Sequence, residues 1–305
     1  MDLSQLEVFL TVARERRFSR AAQRLYRTQS AISQAIRKLE EEVGEPLFDR
    51  SSRDGLLTDA GRVLQEYAER LLNLRADAQE ALAELKELHQ GKLVIAANEF
   101  TALYLLPPLA EFRRLHPMVK ITVNRALGSQ IPGEVLRHGS ELGVLTYDPN
   151  DPQLRSTVVY LDELIFVVPP SHPLAKQPQV SIRQLGAESF VAHNVPSPYR
   201  EKVLQAFKRH KTPLHMGVEL PTLQAIKLFV AMGNGVALVP EMSVEQELKR
   251  GELVRIPVRE LRLQRKLRLI HRKEASLSHA ARAFLAVAET FARERDGQYR
   301  FQAER

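Results

Sequence analysis

The residues whose types and spacing point most directly to chemistry lie between positions 16 and 50. From Arg16 to Leu39 there are seven basic side chains and no acidic one, and then Glu40, Glu41, Glu42 and Glu45 follow. Ile32, Ile36, Leu39 and Val43 recur at steps of four, three and four, which places them on one buried stripe of a helix. The rest of that helix carries Gln29, Ser30, Ser33, Gln34, Arg37 and Lys38, a hydrogen-bonding and cationic face with no carboxylate to repel phosphate. A helix is about the width that a DNA major groove accepts, and side chains of these types bond base edges there. Thr28 is placed to cap this helix and Ser19 to cap a shorter one before it, since a side-chain oxygen satisfies free backbone N–H groups. The two segments meet at Leu25-Tyr26-Arg27-Thr28. The spacing predicts a helix-turn-helix with Thr28–Glu42 as the reading helix. A helical hairpin with a solvated polar face would show the same stripe.

Elements that would position such a helix are legible on both sides of it. Leu6, Phe9, Leu10 and Ala13 recur at i, i+3, i+4 and i+7, so residues 3–15 read as a supporting amphipathic helix with Phe18 in the same core. Beyond the reading helix, Glu45–Arg50 and Leu56-Leu57 flank Ser51-Ser52-Arg53-Asp54-Gly55, and Asp-Gly is a tight-turn dipeptide. A short β-ribbon at this point is a wing, from which Arg50 and Arg53 reach phosphates or a minor groove. Thr58 opens a helix through about Leu88. Leu64, Tyr67, Leu71, Leu74, Ala78, Ala81, Leu85 and Leu88 alternate steps of three and four, a coiled-coil seam on a helix roughly 45 Å long. So narrow a stripe asks for a partner helix, although packing on its own domain would also cover it.

The run AAxRLxxTQSAISxxIRKLEEEVGxPLFDR over residues 21–50, followed by LTDAG, resembles the N-terminal signature of LysR-type transcriptional regulators. Later features extend the resemblance over nearly the whole chain. It implies an α+β multidomain protein: a winged helix-turn-helix over 1–58, a linker helix over 59–90, and a regulatory domain over 91–294, with 295–305 a tail. The regulatory half would be a two-lobed α/β domain like periplasmic binding proteins, lobe I being 92–168 with 268–294 and lobe II 169–267. Thr28, Gln29, Ser30, Ser33, Gln34, Arg37, Arg50 and Arg53 would then contact a double-stranded DNA operator. Family members dimerise through the linker helix. The resemblance further implies a homotetramer, RNA polymerase as a partner, a small-molecule effector, and residence in the bacterial cytoplasm.

Composition agrees in class without deciding it. A length of 305 residues allows two or three domains, each able to bury a core. A net charge of +7 and a pI of about 9.6 favour a polyanionic partner. The absence of cysteine excludes disulfides, thiolate metal sites and a cysteine nucleophile. MDLSQLEVFL reads as no signal peptide, and no apolar run approaches the roughly 20 residues that cross a bilayer.

From Gln90-Gly91-Lys92 the texture changes to strands alternating with helices, which predicts a parallel α/β sheet. Strands are expected at 93–97, 120–123 and 142–146, with helices at 102–115, kinked or restarted by Pro107-Pro108, and 130–138. A second unit runs from the strand 164–168 through strands at 190–192, 216–219 and 236–239, with helices near 199–210, 222–232 and 242–250. A strand at 267–271 and a helix at 280–293 close it. The tail gives no signal. Pro169-Pro170 and the basic stretch 259–268 read as crossovers between the lobes. Ligands in such folds sit where strand C-termini meet helix N-termini, whose free N–H groups attract anions and polar groups. Asn98, Glu99, Thr101, Ser129, Thr146, Ser197 and Thr222 stand at such ends, and the resemblance, which places a co-inducer in this cleft, implies them as effector contacts. Taken singly, each hydroxyl reads as a helix cap.

Two positions depart from the family pattern. Glu99 stands where many members carry a small or hydroxyl residue. Its carboxylate would demand a cationic or hydroxyl-bearing ligand, or pair with Arg200 or Lys202 across the cleft. Glu141 in SELGV stands where Asp is common. No GxSxG, HExxH, Walker loop or GxGxxG is present, the nine histidines are scattered, and neither a cofactor nor a metal nor a catalytic residue is expected. The missing motifs count against a metabolic enzyme on the same fold. The N-terminal reading face counts against a fused solute-binding protein.

Overall fold

The computed structural model describes residues 1–49, 56–86, 91–195, 197–273, 277–295 and 297–303; the side chains of 80–86 are outside this description. The chain forms two compact units, Met1–Leu88 with Leu136–Gly139, and His89–Val135 with Ser140–Arg305. Among the described residues no helix is long and apolar enough to cross a membrane.

The first unit contains α1 (Leu3–Glu15), α2 (Phe18–Arg24), α3 (Gln29–Val43) and α4 (Asp59–Lys86), with a short antiparallel ribbon that pairs Phe48 with Leu57. Asp2 and Gln5 form a capping box at the start of α1, and Thr28 caps α3 through its bond from the Ala31 N–H. Gly44, at φ +81°, ends α3 in the left-handed conformation that glycine adopts without steric cost. Leu6, Phe9, Ile32, Ile36, Leu39 and Leu47 make the core. Two sequence expectations fail here. Val43 is exposed, because the stripe of α3 leaves the core after Leu39. Ser19 does not cap α2, which begins one residue earlier at Phe18 without a side-chain cap. The Phe18 ring packs edge-on against Phe48 at 5.5 Å, and burying that ring outweighs the weaker preference for a capping oxygen.

Thr58 begins α4 by accepting from the Gly61 N–H and donating to the Pro46 carbonyl. A Cβ on Gly61 would lie 2.2 Å from the Leu47 carbonyl oxygen, so only glycine lets α4 lie so close to the ribbon. The expected seam of α4 divides. Leu64 packs with Ala68 and Leu72 onto the core of its own unit, whereas Tyr67, Leu71 and Leu74 stay exposed beside Val63. The side chains of Ala81, Leu85 and Leu88 lie outside the described residues, as does the ribbon tip with Arg50 and Arg53.

The second unit runs β1 (Lys92–Ala97), α5 (Glu99–Leu115), β2 (Lys120–Arg125), α6 (Ile131–Leu136), β3 (Leu142–Leu145), β4 (Leu154–Val168), β5 (Ser189–His193) and α7 (Pro198–Arg209). It continues through β6 (His215–Leu220), α8 (Leu223–Ala231), β7 (Ala237–Pro240), α9 (Glu245–Arg250), β8 (Val254–Ile256), β9 (Leu263–Arg272), α10 (His279–Glu294) and β10 (Tyr299–Ala303). β1 pairs in parallel with β2 and β3, and β5 with β6. The other pairings, of β3 with β9 and of β4 with β7, β8, β9 and β10, are antiparallel. The sheet is therefore mixed rather than parallel.

Two strands account for the difference. The first core holds Leu93, Ile95, Phe112, Val159 and Phe284; the second holds Phe166, Val168, Phe190 and Phe207, with Ile165 and Val167 in a neighbouring cluster. β4 and β9 thread both cores as one antiparallel pair, so the lobes meet inside these strands, near Leu161–Glu163 and Gln264–Lys266. Pro169-Pro170 is not the crossover, and Leu164–Val168 pairs with β7 and β8 of the second lobe. α5 starts at Glu99 instead of residue 102, because Asn98 caps it, and it continues through Pro107 and Pro108. β10, in the tail that gave no signal, pairs with the edge of β4 and places Tyr299 beside Tyr104 and Tyr160.

Candidate nucleic-acid interface and ligand cleft

On α3, the stripe Ile32, Ile36 and Leu39 faces the core, which turns Gln29, Ser30, Gln34, Arg37 and Lys38 out to solvent with Ser33 half-buried. The Thr28 and Ser30 hydroxyls lie 3.0 Å apart at the start of the helix. The acidic run that follows is put to local use. Glu40 is buried, and its Oε1 accepts from the backbone N–H groups of Leu47 at 2.8 Å and Phe48 at 3.3 Å, pinning the ribbon to the end of α3. Gln5 donates to Glu42, which also pairs with the amino terminus. The carboxylates therefore tie down the far end of the helix and leave the stretch Gln29–Lys38 polar, with Arg37 and Lys38 as its cations.

In the second unit, two of the marked residues, Glu99 and Thr146, make hydrogen bonds from one lobe to the other. Asn98 caps α5 by accepting from the Phe100 and Thr101 N–H groups, and its amide faces Gly128, next to the exposed Ser129. Tyr147 donates to the Gly128 carbonyl, and Tyr199 donates at 3.2 Å to the carbonyl of Thr146. Ser197 and Thr222 cap α7 and α8. Thr101 is fully buried, with its hydroxyl bonded to the Asn98 backbone in the capping box, so it supports the cleft wall rather than lining it.

Glu99 does not pair with Arg200 or Lys202. Arg200 donates to Glu219 and to the His193 carbonyl, and Lys202 sits over the Tyr199 ring. Glu99, on the first turn of α5, reaches the other lobe instead. Its Oε1 accepts the Leu223 N–H at 2.8 Å, and its Oε2 lies 3.5 Å from His193 Nε2. Neither Oε2 nor Nε2 has a hydrogen-bond partner, and both atoms are buried. His193 Nδ1 accepts the Val195 N–H, which places the ring proton on Nε2. Glu141, the other departure, accepts from the N–H and hydroxyl of Ser278, the residue that caps α10.

Several residues that shape the cleft carried no signal in the sequence. Arg265 on β9 and Asp162 on β4 form an ion pair at 3.2 Å with side chains 5% and 0% exposed. Their register opposite one another makes the pair, and only the long antiparallel strands reveal it. The guanidinium lies 6.0 Å from the Phe100 ring and 5.3 Å from the Tyr199 ring, one from each lobe. Burial pushes the Asp162 carboxyl up, against the opposing pull of Arg265, and pushes the Arg265 guanidinium down. Burial also raises the Tyr199 phenol. A cavity of about 670 Å³ opens beside this pair, lined among others by Thr146, Tyr147, Tyr199, Lys266 and Arg268. Among the described residues no group of His, Asp and Glu could hold a metal ion.

Residues 3–62 match the family described as bacterial regulatory helix-turn-helix protein, lysR family, and residues 86–293 match the LysR substrate binding domain. The chain is 32% identical over 290 residues to the probable RuBisCO transcriptional regulator of Cyanophora paradoxa, covering 93% of this chain and 90% of that protein. It is 29% identical over 285 residues to the RuBisCO operon transcriptional regulator of Allochromatium vinosum, with 93% and 94% covered. Among solved structures, CbnR, a LysR family transcriptional regulator, has a TM-score of 0.74 at 19% identity over 95% of this chain and 99% of that one. The Synechocystis PCC6803 CcmR regulatory domain in complex with 2-PG has a TM-score of 0.61 at 23% identity, over 66% and 97%. With both halves matched, one of them bearing the reading helix and the other the two-lobed cleft, the chain belongs to the LysR family of DNA-binding transcriptional regulators.

Proposed function

We propose that this regulator reads its operator through Thr28, Gln29, Ser30, Ser33, Gln34 and Arg37, with Arg50 and Arg53 on phosphates or in a minor groove. The observation that carries this reading is the outer face of α3 from Gln29 to Lys38, which holds no carboxylate and is turned out by the buried stripe. A dimer forms through α4, whose exposed Val63, Tyr67, Leu71 and Leu74 offer an apolar stripe, and two reading helices at fixed spacing suit a two-fold-related operator. Dimers assemble to a tetramer and act with RNA polymerase in the bacterial cytoplasm. No catalysis is involved.

The effector is a small molecule held between the lobes by Asn98, Glu99, Ser129, Thr146, Ser197 and Thr222, with Thr101 behind them. CcmR, whose regulatory domain shares this fold, is described in complex with 2-PG. Binding shifts the balance of lobe positions about β4 and β9, and so the spacing or bend that the dimer imposes on DNA. Filter binding to genomic fragments at two salt concentrations tests the DNA half. A specific regulator retains selected fragments over random DNA while its overall affinity falls with salt. Equal retention of all DNA would refute it.

A further inference from the structure

Glu99 is placed as a ligand would be. It projects from the first turn of α5 in one lobe, and its carboxylate accepts the Leu223 N–H at the start of α8 in the other. Thr222 caps that helix by accepting the Ala225 N–H, which leaves its hydroxyl proton to donate. The His193 Nε2–H also faces Glu99, from 3.5 Å and out of hydrogen-bond geometry. The Leu223 N–H and the His193 Nε2–H of the second lobe thus face a position already filled by a carboxylate of this chain. The filling is incomplete, since Glu99 Oε2 lacks a donor and His193 Nε2 lacks an acceptor while both are buried. A second anion brought there would meet the Glu99 charge in a half-buried site, where repulsion is stronger than in open water. A group that both accepts and donates would satisfy both orphaned atoms at once.

We propose that Glu99 is a specificity-determining residue of the cleft: it occupies the oxyanion position against α8, so the effector presents a hydroxyl or other hydrogen-bond donor there instead. The proposal rests on the reading of the cleft as the effector site. It is tested by titrating the full-length protein with inorganic phosphate, following heat release and unfolding temperature, in wild type, Glu99→Ser, Thr222→Val and the Glu99→Ser/Thr222→Val pair. Wild type is expected to show no response that depends on Thr222. Glu99→Ser is expected to gain phosphate binding about tenfold tighter or more, and the double variant to lose it. A wild type that binds phosphate as tightly as Glu99→Ser, with Thr222→Val weakening both, overturns the proposal and leaves the cleft reading standing. Failure of Glu99→Ser to gain any binding overturns it likewise. Phosphate binding that Thr222→Val never alters would place the anion outside the cleft, and the cleft reading would fall with the proposal. Glu99→Ala, which also vacates the position, is titrated in parallel and decides by the same criteria if Glu99→Ser folds poorly.

Discussion

Gln29, Ser33 and Arg37 stand four residues apart on α3, so one groove reaches all three. Each good bidentate contact to a base edge separates right from wrong bases by about 1–3 kcal/mol. Gln29→Ala or Ser33→Ala should therefore lose about that much preference for operator over random DNA in competition binding, while random DNA is bound as before. Unchanged preference in both would remove these residues from the reading face. Glu40 allows a prediction of a different kind. Two buried N–H groups depend on its Oε1, and an unpaired buried donor costs about 1–3 kcal/mol. Glu40→Ala should lower unfolding stability by about 2 kcal/mol or more in denaturant titration, and a change within error would mean that water replaces the carboxylate. The sequence showed Glu40 as one of a run of acids. Which of them turns inward depends on where the chain returns at Leu47, and that is a tertiary fact.

At the scale of elements, local patterns carried far. The stripe Ile32, Ile36 and Leu39 of α3, its Thr28 cap and the strand expected at 93–97 were all legible because period and cap chemistry are local. The long β4 was not, since only 164–168 of Leu154–Val168 reads as a strand until β9 is laid beside it, and β10 is a strand only through its pairing with β4. The seam of α4 was legible as apolar but not as divided between two duties. Leu71, 41% exposed in the single chain, lies on the free stripe, so Leu71→Glu would place a charge in a dimer seam. We expect sedimentation to show a monomer without operator binding; a dimer that binds normally would refute the role of α4. On β9, burial holds the His271 imidazole below its ordinary pKa of 6.5, partly opposed by the bond of its Nδ1 to the Arg272 carbonyl. The unfolded chain then binds the proton more readily. The resulting stability is full above the unfolded value and is lost as pH falls from about 6.5 toward the lower folded value. His271→Gln should lose less unfolding temperature than wild type over that acid interval, and equal losses would contradict the assignment.

For the whole molecule, function needs a ligand bound in one unit to be felt as DNA affinity in the other. Donors left unpaired in the cleft cost about 1–3 kcal/mol, so Ser129→Ala or Thr222→Val should weaken a cognate effector about tenfold or more by calorimetry. Operator affinity without effector should stay nearly constant, because the two units have separate cores. Unchanged effector affinity in both variants would reduce these hydroxyls to caps. The central claim, that this chain reads specific DNA with the outer face of α3, is tested most directly by selecting bound fragments from genomic DNA. The selected fragment is then competed against random DNA at two salt concentrations, with wild type and Gln29→Ala/Ser33→Ala side by side. The account predicts that salt lowers both affinities, that wild type keeps its preference for the selected fragment, and that the double variant loses most of that preference while binding random DNA as before. A preference carried equally by the double variant would contradict it.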